Sequence, residues 1–300
     1  LSSDAAHAVL RGIWPEWSGE IALLSQNDGR LLCRPTGTPC PVVLKLWPED
    51  QRDKAAAQVA RQQALSKSLN GAAFRVPKVL HWDPFRRGLV MEDAGKRDLG
   101  VALREADAQG AERLLKLAGG WIAALHGTSR REAPFRPVGH LKWLDKLVAQ
   151  GEAGARRIDD LERFKSQVAQ LHGMFETVRR RPSVRAVTHK DLNAGNLLVQ
   201  GDAIYGIDFE NAEEDEALRD LFTLSLDVMG FAPFGDDHSR TLAALGRGYG
   251  ASPGDPLVRL FLQRAFALGY WARTPLPHSR RQTARMAGAL WVLAQDSTVF

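Results

Sequence analysis

Three hundred residues suffice for one large domain or two lobes around a sizeable core. With 44% hydrophobic and 25% charged residues the composition is that of an ordinary globular protein, and a formal charge of +5 is too mild to indicate nucleic acid, though it favours anionic ligands such as nucleotides. Two cysteines, Cys33 and Cys40, cannot build a four-ligand zinc site, and no apolar run reaches the length of a membrane span. No charged and apolar leader pattern opens the chain, so no signal peptide, reduced cysteines and a cytoplasmic location are expected.

Residues 1–17 hold a short amphipathic segment ending in Trp14-Pro15-Glu16-Trp17. Strand signals at 20–25 and 30–34 flank Asn27-Asp28-Gly29, a strong hairpin turn. After a second turn at 35–39, residues 42–47 form a third strand, nearly all apolar except for Lys45. A buried ammonium costs several kcal/mol unless an anion pairs with it. Phosphate oxygens are one candidate, and a lysine snorkelling at a strand edge is the bland alternative.

Pro48, Glu49 and Asp50 open a helix whose buried stripe is Ala55, Val59, Gln62, Leu65 and Leu69. Strands at 76–82 and 88–92 complete a five-stranded antiparallel sheet with one helix. The pattern breaks at Glu92-Asp93-Ala94-Gly95, which sets a boundary between residues 1–93 and 94–300. Beyond it the periodicity is helical, at 111–125, 140–148, 158–180, 238–249, 256–271 and 280–294. Arg179-Arg180-Arg181 reads as a solvated helix end, and no internal repeat is found.

Residues 188–210 carry the densest chemistry. Two apolar runs, 197–199 and 204–207, surround Gln200-Gly201-Asp202 and read as a β-hairpin. A turn centred near Asp202 sets Asn196 opposite Asp208 at the open end, where paired Cβ atoms lie roughly 4.5–5.5 Å apart. A carboxylate and an amide oxygen at that spacing share one hard cation such as Mg²⁺. Asp191 delivers a second carboxylate one short loop upstream. The bland alternative is a polar loop followed by an acidic strand end.

His189-Lys190-Asp191 with Asn196, followed by Ile207-Asp208-Phe209-Glu210, resembles the catalytic and metal-binding segments of protein-kinase-like enzymes, specifically the small-molecule kinases: aminoglycoside phosphotransferases, choline kinases and their relatives. The resemblance implies an α+β, bilobal protein-kinase-like fold: a small five-stranded N-terminal nucleotide-binding lobe with one helix (1–93) and a larger helical C-terminal lobe with catalytic loop, metal site and acceptor site (94–300). It implies ATP in the cleft and Mg²⁺ held by Asn196 and Asp208. Lys45 matches the third-strand lysine that holds the α- and β-phosphates, and Asp191 the residue that orients the acceptor hydroxyl and accepts its proton. Gly19, in Ser18-Gly19-Glu20, resembles the phosphate-covering loop, and Glu92, Asp93 and Ala94 the hinge whose backbone hydrogen-bonds adenine. Asp220 resembles the aspartate that braces the catalytic loop. His126, in Leu125-His126-Gly127, also matches the family but is given no catalytic role. The departure is on the first large helix, where the family's lysine-pairing glutamate is matched by Gln62.

The implied partner is a small-molecule hydroxyl acceptor, with no nucleic acid and no membrane. Three signals bear on it. The acidic run 213–216 with Asp236-Asp237 suits a polycationic amino sugar; Tyr270, Trp271 and Trp291 suit a choline-like alkylammonium; Arg273, Arg280, Arg281 and Arg285 suit an anionic sugar or amino acid. Charge runs are usually solvated faces and helical aromatics usually core. A non-catalytic or weakly active nucleotide-binding protein on the same fold is the competing class, favoured by Gln62 alone. A protein kinase is disfavoured because no Phe-Gly follows Asp208 and no Ala-Pro-Glu lies downstream.

Overall fold

The computed structural model describes residues 3–250 and 254–300. Its elements begin with α1 (Ser3–Ile13), β1 (Ile21–Asn27), β2 (Arg30–Pro35), β3 (Val42–Leu46), α2 (Arg52–Ser68), β4 (Phe74–Arg75), β5 (Val79–Asp83) and β6 (Gly88–Glu92). They continue with α3 (Leu99–Glu105), α4 (Ala108–Gly127), β7 (Arg131–Pro134), α5 (Val138–Glu152), α6 (Leu161–Gly173), α7 (Phe175–Val178), β8 (Pro182–Thr188), β9 (Leu197–Gln200) and β10 (Ala203–Gly206). The chain closes with β11 (Glu213–Glu216), α8 (Leu218–Met229), β12 (Pro233–Asp236), α9 (His238–Tyr249), α10 (Pro256–Arg273) and α11 (Arg280–Leu293).

Two compact units result: the chain up to Arg97 with Asn196–Asn211, and Asp98–Gly195 with Ala212–Phe300. The hairpin carrying Asn196 and Asp208 falls in the first unit, together with the chain up to Arg97. The cause is pairing: β10 lies parallel to β4, with Ile204 opposite Phe74 and Tyr205 opposite Arg75.

In the first unit the five antiparallel strands run in the order β1-β2-β3-β6-β5. Asp28 and Gly29 close the first hairpin with φ of 50° and 72°, the left-handed pair that a two-residue turn requires and that Asp-Gly adopts readily. Alternation along β3 sends Val42, Leu44 and Leu46 to the α1 side, against Ala6, Val9 and Leu10. Trp47, of the opposite parity, packs with Ala55 and Val59 of α2. Covered on both faces, β3 is apolar nearly throughout, and burying each of its aliphatic side chains contributes about 1.5–3 kcal/mol. Lys45 shares the parity of Trp47 and so faces α2. Cys33 lies in the α1-side core, where burial pushes its thiol up to about 11; both cysteines are free.

In the second unit a three-stranded antiparallel sheet, β11-β8-β7, leads into the loop after Thr188. None of these strands was expected. The predicted helix at 158–180 instead stops at Gly173, gives one short helix, α7, and turns into β8, with Arg180 at φ 63° and Arg181 paired to Asp255 at 3.0 Å. Helices α4 and α9 pack backbone to backbone: a Cβ on Gly119 would lie 2.0 Å from the Leu245 carbonyl oxygen, and one on Gly248 would lie 1.9 Å from that of Lys116.

His140 of α5 sits among Phe135, Phe261 and Phe266, with ring centroids 5.8, 6.3 and 5.9 Å away. Burial, and then the nearby Arg219 charge, push its pKa down to about 4. Its neutral form is the one that fits the cluster. The resulting stabilisation is complete above the ordinary histidine pKa of about 6.5 and is lost as pH falls from there through about 4. Melting curves of wild type and His140→Phe are expected to diverge across that window, the wild type losing more. Parallel curves would remove His140 as a source of acid lability.

Candidate active site

Within the first unit, Lys45 is 11% exposed and lies between two carboxylates: its Nζ is 2.9 Å from Asp208 Oδ1 and 2.8 Å from Glu210 Oε1. It also donates to Gln58 Oε1 at 3.2 Å and lies 4.8 Å from the centre of the Trp47 ring. The lysine is thus an ion-paired group on the inner face of the sheet, and the snorkelling alternative is set aside. Glu210, which the sequence reading used only as a family marker, joins the cluster.

The glutamine facing Lys45 is Gln58, one helical turn before the expected Gln62. Gln62 is 2% exposed; its amide donates to the Pro77 carbonyl at 2.9 Å and lies 3.3 Å from Met91 Sδ. Both glutamines lie on the buried stripe of α2, being four residues apart, and only their height along the axis separates them. Gln62→Glu is accordingly expected to melt several degrees lower with no gain in Mg·ATP affinity, because a carboxylate would face a carbonyl oxygen and lose a hydrogen bond worth ~1–3 kcal/mol when left unmade. A rise in affinity on this substitution would reinstate the first alignment.

At the expected hinge, the Glu92 amide donates to Lys78 O and the Asp93 amide to Pro41 O. The Asp93 carboxylate binds Arg34 at 2.5 and 2.9 Å and accepts from the Gly95 amide at 2.9 Å. Burial would raise the Asp93 pKa, but the guanidinium and the amide outweigh it and hold it below the ordinary carboxylate range. Ala94 is 3% exposed and packs with Ala203 and Tyr205. Gly19 precedes β1 and packs on the 36–37 turn: a Cβ there would lie 2.0 Å from the Thr36 carbonyl oxygen, which already accepts from Trp17 Nε1 at 2.7 Å. That approach accounts for the glycine without a phosphate.

The metal-site hairpin has a register one residue different from the expected one. Gln200 pairs with Ala203 and Leu197 with Gly206, so the turn is Gly201-Asp202 and Ile207, not Asp208, stands next to Asn196. The Ile207 amide donates to the Asn196 carbonyl at 3.0 Å. Asp208 follows at φ 67°, a left-handed conformation that is costly for most side chains and that Asp adopts more readily than others. This turn, rather than strand pairing, sets the direction of its carboxylate, which is 40% exposed. Arg61 of α2 holds the turn by donating to the carbonyls of Phe209 and Glu210 at 3.0 and 2.9 Å.

The second unit carries the loop of Asp191. Its start is held by Asp220 of α8, which accepts from the amides of His189 and Lys190 at 2.7 and 3.0 Å. His126 Nε2 lies 3.1 Å from the same carboxylate, and His126 Nδ1 lies 3.1 Å from Tyr249 Oη, brought there by the close packing of α4 on α9. Burial would raise the Asp220 pKa, yet the contacts with His126 and His189 hold it low. Asp220 is fully buried and braces the loop, and His126 in turn orients Asp220. The end of the loop is held by Asp227, seven residues further along α8, which accepts from the Ala194 amide at 2.8 Å and pairs with Arg281 and Arg285 of α11 at 2.9 and 2.5 Å. Asp227 was missed; its spacing of two helical turns from Asp220 is the signal that places both on one face. Between the two braces, Lys190 has φ 66° and Asp191 is exposed.

Several of the residues expected to signal the acceptor are engaged within this unit. Glu213 pairs with Lys190, Glu214 with Arg131 and Arg185, and Asp215 with Arg219. Glu214 is pushed down to about 2 by hydrogen bonds from Arg131 and Arg185. Trp271 is core, its indole donating to Asp159 O at 2.9 Å, and Arg281 and Arg285 belong to Asp227.

A five-stranded antiparallel sheet with an ion-paired lysine, and a helical unit with a doubly braced aspartate loop, are the parts of a protein-kinase-like phosphotransferase fold. The profile of the phosphotransferase enzyme family (APH) matches residues 23–261, and the chain belongs to that family of small-molecule kinases. No curated protein sequence matches it. Among solved structures it resembles a choline/ethanolamine kinase family protein from Mesorhizobium loti, at 17% identity and a TM-score of 0.59, over 98% of this chain and 95% of the other. It also resembles the aminoglycoside phosphotransferase APH(4)-Ia at 14% identity and 0.59, over 97% of each chain. The amicoumacin kinase hAmiN, solved with AMP-PNP, Ca²⁺ and Ami, matches at 14% identity and 0.55, over 97% of this chain and 94% of that one. At such identities the likeness is one of fold. No helix among the described residues is long and apolar enough to cross a membrane.

Proposed function

We propose that this protein transfers the γ-phosphoryl group of ATP to a hydroxyl of a small molecule, in a reaction that requires Mg²⁺. The observation that carries the reading is Lys45, a sheet lysine neutralised by Asp208 and Glu210, with Asp208 the more exposed of the two acids. On binding ATP, Lys45 exchanges Asp208 for α- and β-phosphate oxygens. The backbone of Glu92, Asp93 and Ala94 serves the adenine edge, and Gly19 shapes the segment before β1. Asp191 orients the acceptor hydroxyl and takes its proton as the bond to phosphorus forms and the bond to ADP breaks.

The donors proposed at the hairpin mouth, the Asp208 carboxylate and the Asn196 side-chain amide, offer hard oxygens. That set fits a cation that takes one or two protein ligands and completes its shell with phosphates and water, as Mg²⁺ does. Held there, Mg²⁺ would neutralise phosphate charge. The non-catalytic reading rested on a missing acid opposite Lys45, and Glu210 supplies one. Solved relatives whose names specify choline and aminoglycoside substrates make those hydroxyl compounds the first acceptors to try. The test is ATP turnover across amino sugars, choline-like alcohols, sugars and hydroxy amino acids, with Mg·ATP binding measured by calorimetry. Absence of Mg·ATP binding would overturn the reading.

A further inference from the structure

Lys45 needs a counter-ion that stays with it when nucleotide arrives, and α2 does not supply one. Gln58, the α2 residue that touches it, is 1% exposed and offers a neutral amide oxygen at 3.2 Å. Asp208 is an acid, but its side chain is 40% exposed, and in the proposed reaction it is the one that turns to Mg²⁺. Glu210 differs from both. Its side chain is 10% exposed and both oxygens are engaged: Oε1 accepts from Lys45 at 2.8 Å and from Trp47 Nε1 at 3.2 Å, while Oε2 pairs with Arg30 of β2 at 2.8 Å. Its backbone is held to α2 by Arg61. Moving Glu210 onto a cation would break the Arg30 ion pair and take the acceptor from the indole of Trp47, a fully buried residue, and leaving a buried donor unmatched is costly.

We infer that Glu210 is the positioning residue for Lys45, supplying from the turn after Asp208 the negative charge that Gln58, the α2 residue touching the lysine, does not. The inference rests on the proposed ATP reaction. It assigns the two acids different work: Asp208 exchanges between Lys45 and metal, while Glu210 keeps the lysine aimed throughout. Arg30 and Trp47 are part of the device, since each holds an oxygen of the carboxylate that Lys45 contacts.

A charge swap tests it. Mg·ATP affinity, the Mg²⁺ concentration giving half-maximal ATP binding and the melting temperature are measured for wild type, Glu210→Gln, Gln58→Glu and the double variant. Glu210→Gln is expected to weaken Mg·ATP binding about tenfold or more, since losing one partly buried charge partner commonly costs more than the ~1.4 kcal/mol that a tenfold change represents. Its Mg²⁺ requirement is expected to stay at the wild-type value. Adding Gln58→Glu to Glu210→Gln is expected to restore affinity to within about threefold of wild type, because the carboxylate then returns to Lys45 from α2. Three results overturn the inference: wild-type affinity in Glu210→Gln, no recovery in the double variant, or a raised Mg²⁺ requirement in Glu210→Gln, which would make Glu210 a metal ligand. If Glu210→Gln does not fold alone, the double variant must fold and bind Mg·ATP like wild type, and its failure overturns the inference as well. A wild-type protein that binds no Mg·ATP is a separate outcome, which removes the ATP reading beneath it.

Discussion

Asp191→Asn is expected to lower phosphoryl transfer by about 10²–10⁴-fold, the usual contribution of a positioned base, while Mg·ATP affinity stays at the wild-type value. The substitution keeps the shape of the side chain and removes its ability to take a proton. Both ends of the loop around it are held by other carboxylates, the amides of His189 and Lys190 by Asp220 and that of Ala194 by Asp227. The nucleotide groups proposed here, Lys45 and Asp208, lie in the other unit and keep their ion pair. Steady-state turnover with an acceptor from the screen, alongside calorimetry with Mg·ATP, separates the two effects. Wild-type turnover in the variant would take Asp191 out of the mechanism. A parallel loss of ATP affinity would place it at the nucleotide instead.

Asp208→Ala is expected to abolish the dependence of ATP binding on Mg²⁺, with Asn196→Ala weakening it less, since an amide brings no charge to the cation. The fold is expected to survive the loss of Asp208, because Glu210 remains on Lys45 and Arg61 still holds the turn through backbone carbonyls. Relief of the left-handed strain at position 208 is not expected from alanine, which carries the same Cβ. ATP titrations of the three proteins over a series of Mg²⁺ concentrations provide the comparison. Equal affinity in wild type and Asp208→Ala at every Mg²⁺ level would sink the metal assignment.

Much of this molecule was legible before any tertiary contact was known, wherever the governing interaction is local. Asp28-Gly29 announces its turn because only such residues take two consecutive positive φ values cheaply. Lys45 stands out within β3 because a strand covered on both faces is apolar throughout. The order of Asp191, Asn196, Asp208 and their neighbours within one short stretch is itself the family signature. What the one-dimensional pattern left undecided are the facts settled at a distance. Helical periodicity selects the buried face of α2 but not the height along its axis, so Gln58 and Gln62 are equivalent until β3 and Pro77 choose between them. A strand buried on both faces, as β10 is, leaves its hairpin register open by one, and the Gly201-Asp202 turn with the pairing of Ala203–Gly206 to Leu197–Gln200 closed it. The run Glu213–Glu216 looked like free negative charge because its partners Arg131 and Arg185 lie 83 and 29 residues from Glu214. Glu210 reaches Lys45 across 165 positions of chain. A charge's partner is a property of the packed chain, and no local propensity encodes it.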